Sequence, residues 1–491
     1  MNGSRAIKSV LLAVGTLVGA DCTAQHIPGE AVTYRNFDCV RAVTSSLKYA
    51  YYATTGGIIR YDKLQQLWDV PLTGAEETPP DLINRIWVDQ FDQSLFISTE
   101  SGLYEYDQFF DRWGPINELP AIDNDVQHIG TPDILLPEFP ATYLGEGELV
   151  DYYGRRFATT DIVQDATGDM WIGTWGLGPA KGESSSRLMN LLPYGLLQKR
   201  VDIILPDDSV LWLGGEIWDD IRTGLTGFQS TKNHFLYIES GLTSEFPSVD
   251  VRCLETDSAR LFVGTPAGLY IVNKNSGVAR GPVDARRGLL DDFVVSLLRW
   301  GDSLFVGTAQ GLSCMNLNTD SIGHIRLETL HQQVIYDLDR VDNTVWVASG
   351  AGAFRYTPET DRLQQFQDPG LVLFSSVLNI EHCGNLVWLA SDGGVVRLDL
   401  TTGKSESFRE ASSWRDRRAL AANDRLVALA DDNGLHVIVL GRKKTRTYRL
   451  TTDDGLASSI VLSLLFDGDY LWIGTDNGLT RFLWNHQRWT D

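Results

Sequence analysis

The stretch Leu471-Trp472-Ile473-Gly474-Thr475-Asp476-Asn477-Gly478-Leu479 decides how this chain folds. It holds a hydrophobic triplet, a small residue and, four positions later, a second glycine. The phrase returns ten times, with its small residue at Ala53, Ser98, Gly173, Gly214, Gly264, Gly307, Ala348, Ala390, Ala430 and Gly474. From Gly264 onward the intervals are 43, 41, 42, 40 and 44 residues, which suits four strands of about five or six residues with tight turns. Two intervals are longer: 75 residues before Gly173 and 50 before Gly264.

Self-similarity at this period marks a radial or stacked array in which one small sheet is copied. Two positions before the small residue stand Tyr51, Phe96, Trp171, Trp212, Phe262, Phe305, Trp346, Trp388, Ala428 and Trp472, nine of the ten aromatic. A bulky residue there fills the wedge between sheets, and the small residue lets strands approach near a crowded axis. The second glycine, at Gly57, Gly102, Gly268, Gly311, Gly352, Gly394, Gly434 and Gly478, marks a hairpin turn with positive φ. Gly-Leu pairs such as Gly288-Leu289 and Gly455-Leu456 mark the crossing from one sheet to the next. Neither end carries the polar cap that a stacked solenoid needs. The expected fold is therefore all-β, a β-propeller of four-stranded blades with ten repeats, set in a single ring of eight to ten blades. The segment from Ala31 to Phe37 reads as an outer strand that closes the ring against the last blade, although His486-Gln487-Arg488-Trp489 also reads as that blade's fourth strand.

Arg5 and Lys8 precede an apolar run from Ser9 to Ala20, so residues 1–24 read as a cleavable secretory signal and 25–491 as the propeller. Asp21 argues against a lipid anchor on Cys22. The expected location is periplasmic or secreted, with no integral membrane segment. Cys39, Cys253, Cys314 and Cys383 are scattered without metal-ligand spacing; Cys253 and Cys314 read as buried thiols, with one disulfide the alternative in an oxidising compartment. The net charge of −22 opposes contact with phosphate backbones, so nucleic acid is not an expected partner.

The quoted phrase, with Trp171-Ile172-Gly173-Thr174, Phe262-Val263-Gly264-Thr265 and Phe305-Val306-Gly307-Thr308, resembles the two-component regulator propeller repeat. That family's repeats occur in periplasmic sensor halves of hybrid histidine kinases and in some secreted propellers, commonly about fourteen in two rings. The resemblance implies a binding or sensing scaffold and supplies no catalytic residue, metal or cofactor.

Departures from the repeat suggest where a site lies. An insertion at about residues 114–157 carries Tyr143, Tyr152, Tyr153, Arg155 and Arg156; residues 215–223 lengthen a turn in the fourth repeat; Thr174-Trp175-Gly176 is an odd turn in the third. Function concentrates on loops held by a rigid scaffold. These three loops are expected to crowd one sector of one face, with Tyr152, Tyr153, Trp175 and Trp218 as stacking surfaces and Arg155, Asp219 and Asp220 as polar contacts for a glycan or protein partner. An enzyme alternative, a carbohydrate-active hydrolase or lyase, would draw its paired carboxylates from Glu216, Asp219 and Asp220. A third alternative is a cell-envelope or secretion-system accessory scaffold. Arg60, Arg355, Arg397 and Arg481, each three residues after its turn glycine, are expected to pair with acids between blades.

Overall fold

The computed structural model describes residues 31–485, apart from 73–81, 109–111, 125, 134, 242–245, 326–329, 331, 368–375, 392–393, 409–418, 432 and 441–445. The signal segment and His486–Trp489 thus lie outside the described residues. Ten sheets follow one another along the chain, numbered here as blades 1 to 10; nine are four-stranded and antiparallel, and the third has eight strands, with Leu136–Pro137 parallel to its outer strand Leu188–Leu191. Each runs from an inner strand through two middle strands to an outer one, as in blade 7 with Ile335–Val341, Thr344–Ser349, Gly352–Thr357 and Arg362–Gln365.

The repeat residues do what their chemistry requires. All eight second glycines at the third-strand hairpin have positive φ, from 105° at Gly352 to 148° at Gly102. Trp171, Trp346, Trp388 and Trp472 are fully buried between blades. A Cβ on Gly307 would lie 2.8 Å from Ile335 in the next blade, and one on Gly264 2.7 Å from Val294, so a larger residue would push neighbouring blades apart. Gly288 and Gly455 end short 3-10 turns between blades in the left-handed region, the latter with a capping box from Thr451 and Asp454.

One ring of eight to ten blades gives way to a ring of seven and an arc of three. The inner strands of blades 4 to 10 pack in succession, and the inner strand of blade 10 (Val461–Asp467) then packs on that of blade 4 (Ile203–Asp207). Ser463 Oγ donates to Val201 O across this seam at 2.9 Å. The ring is closed by Ala31–Tyr34, which pairs with Gly478–Leu483 as the outer strand of blade 10, as its sequence suggests.

In the arc, blade 1 stands in the middle. Blade 2 packs on one side of it and blade 3 on the other. Blade 3 meets blade 1 as each ring blade meets its successor: Thr160 Oγ1 donates to Val40 O at 2.9 Å, as Ser296 Oγ does to Ile335 O at 2.9 Å between blades 6 and 7. Asp161 likewise accepts from Val43 N at 2.8 Å, as Glu255 accepts from Arg299 N at 3.0 Å. Blade 3 therefore occupies the place of a last blade, one step before blade 1. The long insertion makes this possible by carrying the chain from blade 2 past blade 1. On its way Asn124 donates to Ser45 O and Val88 O, at 3.2 and 2.8 Å, tying down the inner edges of both blades. Gln127–His128 then pairs with the inner strand of blade 3 (Arg156–Gln164), and the hairpin Ala141–Gly145 and Glu148–Asp151 adds to that strand's free edge.

Arc and ring share one core. Trp68 of blade 1 stacks on Tyr194 at 4.9 Å, Tyr194 meets Phe235 at 5.1 Å, Phe235 stacks on Phe228 at 4.4 Å, and Phe228 meets Trp472 of blade 10 at 5.8 Å. Each such aromatic pair contributes about 0.5–1.5 kcal/mol beyond burial and so helps to hold arc and ring together.

Candidate functional site

The three irregular loops meet at this joint. Gly176 lies against Ile221 and Phe157, where an added Cβ would fall 3.0 Å from each side chain. Gly241, after the outer strand of blade 4, faces the ring of Tyr153. Beneath the loops runs a chain of charges. Asp151 is bound by Arg155 at 2.6 Å, Arg155 reaches Glu239 at 2.8 Å, Glu239 binds Arg222 at 2.8 Å, and Arg222 approaches Asp38 at 3.4 Å. Asp38 comes from the arc's entry segment and Asp151 from the insertion, whereas Arg222 and Glu239 belong to blade 4. Burial pushes the Asp38 carboxyl up to about 6 although Arg222 pulls the other way. Burial also opposes the charge on Arg222, yet Asp38 and Glu239 outweigh it and hold the guanidinium above its ordinary range.

Above that base stand the aromatic residues. Tyr152 is 86% exposed, Trp218 71%, Tyr153 46% and Trp175 40%, with Ile221 exposed beside them. Tyr152 and Tyr153 sit edge to face at 5.6 Å, and the Arg155 guanidinium lies over Tyr153. The polar residues are placed differently from the sequence expectation. Arg155 is held by Asp151, Glu239 and Ile221 O, so its donors serve the joint. Asp220 accepts from Lys199 N and Trp218 N and is raised by burial; it shapes the loop. Asp219 is exposed and has φ 54°, the left-handed turn position that Asp tolerates.

A second feature lacks any signal in the repeat. The ring's axis is a chamber of about 860 Å³ lined by the inner strands of all seven blades. At its mouth Arg200 binds Asp202 at 2.9 Å and Glu216 at 3.6 Å, and Arg252 binds Glu216 at 2.5 Å and Asp250 at 3.4 Å. Phe293 lies under Arg252 at 5.5 Å. Glu216 begins the lengthened turn that carries Trp218, so mouth and aromatic shelf are continuous. Its carboxylate is spent on two arginines, and with Asp220 held by amides these acids do not form the facing pair a glycosidase uses. Farther in, Asp337 and Asn379 line the chamber among apolar side chains.

The four arginines stack within their own blades. Arg355 lies over Trp346 at 5.5 Å, Arg397 over Trp388 at 5.8 Å and Arg481 over Tyr470 at 4.9 Å. Arg60 and Arg397 pair with Asp69 and Glu406 of the same blade, because each arginine faces an aromatic on the adjacent strand and not the next blade. Cys39, Cys253, Cys314 and Cys383 are half-buried and form no disulfide among the described residues; burial pushes the Cys39 thiol up to about 11. Among the described residues, no helix is long and apolar enough to cross a membrane, and no group of three or more His, Cys, Asp or Glu is placed to hold a metal ion.

No protein-family profile and no curated protein sequence matches the chain. Among solved structures it is similar to the extracellular domain of the putative hybrid two component system BT4673 from B. thetaiotaomicron, with 15% identity, a TM-score of 0.46, and 91% of this chain and 70% of that one covered. It is similar also to PorZ, a surface component of the type-IX secretion system of Porphyromonas gingivalis, with 13% identity, a TM-score of 0.49, and coverage of 91% and 74%. The extracellular domain of the putative hybrid two component system BT3049 from B. thetaiotaomicron is similar at 15% identity and a TM-score of 0.32, with 90% of this chain and 74% of that one covered.

Proposed function

We propose that this chain is an exported, non-catalytic recognition protein that binds a glycan on the aromatic shelf at the joint of arc and ring. The observation that carries the reading is the exposure of Trp175 and Trp218: among the described tryptophans these two are exposed, and the others are buried or half-buried. Flat rings held out on a rigid base are suited to stacking on sugar faces at little entropic cost. The base is the buried charge chain, and Asp219 supplies a polar edge. The N-terminal pattern of Arg5, Lys8 and an apolar run supports export. The spent carboxylates of Glu216 and Asp220 favour binding over turnover.

A protein partner is the second reading, favoured by Ile221 and Tyr152, which extend the shelf into an exposed apolar patch. A glycan array probed with the protein and its Trp175→Ala/Trp218→Ala variant tests the first. Binding that disappears in the variant and returns when both positions are Phe supports the stacking role. A native protein that binds no glycan overturns it, and capture of an envelope protein that depends on the same two residues would then establish the second reading.

A further inference from the structure

The axial chamber has a polarity that the shelf does not share. Its 860 Å³ falls within the ~300–1,000 Å³ usual for small-molecule sites. At the mouth every acid named above meets an arginine. Deeper, the pairing stops. Leu254, Leu297, Leu378, Leu420 and Leu464 supply aliphatic walls, and between them Asp337 of blade 7 and Asn379 of blade 8 stand on adjacent inner strands. Asp337 accepts from Ile380 N and Leu338 N at 2.9 Å each. Asn379 Oδ1 is buried without a hydrogen-bond partner.

The charged groups around this point are the acids Asp339 and Glu381 and the basic side chains His382, Arg299 and Arg340, and the two arginines are directed elsewhere. Asp339 follows on the strand of Asp337, and Glu381 and His382 follow on that of Asn379; His382 binds Asp339 at 2.6 Å. Arg299 of blade 6 is turned to Thr256 O, and Arg340 lies over Trp300. Among the described residues no lysine or arginine pairs with Asp337, Asp339 or Glu381. Burial pushes Asp337 up to about 7, with Asp339 adding to it; burial, then Asp339 and Asp337, hold Glu381 well above the carboxylate range. A buried carboxyl group without a countercharge favours a ligand that brings one.

We propose that the chamber binds an organic ammonium ion with an apolar body, its N–H groups donating to Asp337 and Asn379 Oδ1 and its hydrocarbon lying against the leucine walls. An anion would meet repulsion there, and an alcohol of the same shape would leave the charge uncompensated. The site is separate from the shelf and does not rest on the glycan reading.

Titration calorimetry of the purified protein with hexylammonium, hexanol and hexanoate tests the assignment. The ammonium should bind at least tenfold more tightly than the alcohol at pH 8, with hexanoate weakest. Its affinity should fall roughly tenfold or more at pH 5.5, as Asp337 takes up a proton. Asp337→Asn keeps an oxygen for the Ile380 amide and removes the charge, so it should abolish both the preference and the pH dependence. The Trp175→Ala/Trp218→Ala variant should retain both. Equal binding of ammonium and alcohol, a preference unchanged in Asp337→Asn, or no binding of hexylammonium at millimolar concentration would overturn the proposal.

Discussion

Ring and arc are built from the same repeat and end with opposite interiors. In the ring, seven inner strands face an axis that stays open as an 860 Å³ chamber. In the arc, three inner strands face a chain segment instead: Asn124 ties the edges of blades 1 and 2, and Gln127–His128 and the hairpin at residues 141–151 cover blade 3. An inner strand has one unpaired edge, and its amides and carbonyls require partners or water. In the closed ring, side chains such as Glu255 and Asp337 meet amides of the neighbouring blade's edge; an open arc would expose such edges, and the insertion removes that exposure. Closure, more than the repeat itself, decides whether a blade set encloses a chamber.

The joint between the two should be the most sensitive place in the molecule. Arg222→Ala leaves Asp38 and Glu239 as buried carboxylates without their shared cation, and removing one partner of a buried pair costs about 3–5 kcal/mol. Denaturant unfolding should show that loss, and the transition should split as the arc separates from the ring. Arg156→Ala removes a pair to Glu148 whose arginine side chain is 71% exposed, and should change stability by less than about 1 kcal/mol. Equal effects of the two substitutions would mean that the charge chain does not hold the joint.

Within the ring, the chamber wall should reveal itself through pH. Asp337 is raised in the folded protein from 3.8 to about 7, so the native state binds a proton that the unfolded chain releases. Its contribution is favourable below about pH 4 and is lost as pH rises toward 7. The stability of Asp337→Asn relative to the native protein should therefore increase between pH 4 and 7, by on the order of 2–4 kcal/mol, and stay level above that. A difference that does not change with pH would place this carboxyl in contact with water.

The arc's filling should matter less, since it rests on hydrogen bonds at its axis. Asn124→Ala removes two donors to Ser45 O and Val88 O and should cost about 1–3 kcal/mol, with faster amide exchange confined to the inner strands of blades 1 and 2. Exchange spreading into blades 4 to 10 would show that the arc supports the ring's closure.

These contrasts also explain how far the sequence could be read. Gly474, Trp472 and Gly478 specify a blade because their constraints are local: a close approach, a buried wedge and a positive φ. All ten copies carry some version of that phrase, so it says nothing about which blade stands beside which. The order of the arc depends on Thr160 with Val40 and Asp161 with Val43, pairs 120 and 118 residues apart, and the 75-residue interval before Gly173 was its one visible trace. The candidate shelf was legible as aromatic residues in irregular loops. Its base was not, because Asp38 and Arg222 lie 184 residues apart and neither stands in a motif. The chamber emerges only from ring closure, which brings Asp337 beside Asn379.

The shelf should show the smallest effect on the fold. Trp218 is 71% exposed, and its backbone is fixed by Asp220 through an amide that alanine retains. Trp218→Ala should therefore change stability by no more than about 0.5 kcal/mol, although an exposed ring of that size leaves apolar surface in water that the fold gains nothing from exposing. A melting curve that matches the native one, beside a lost ligand, would separate the shelf from the joint beneath it. A destabilisation near that of Asn124→Ala would instead assign Trp218 to packing and remove the observation on which the glycan reading stands.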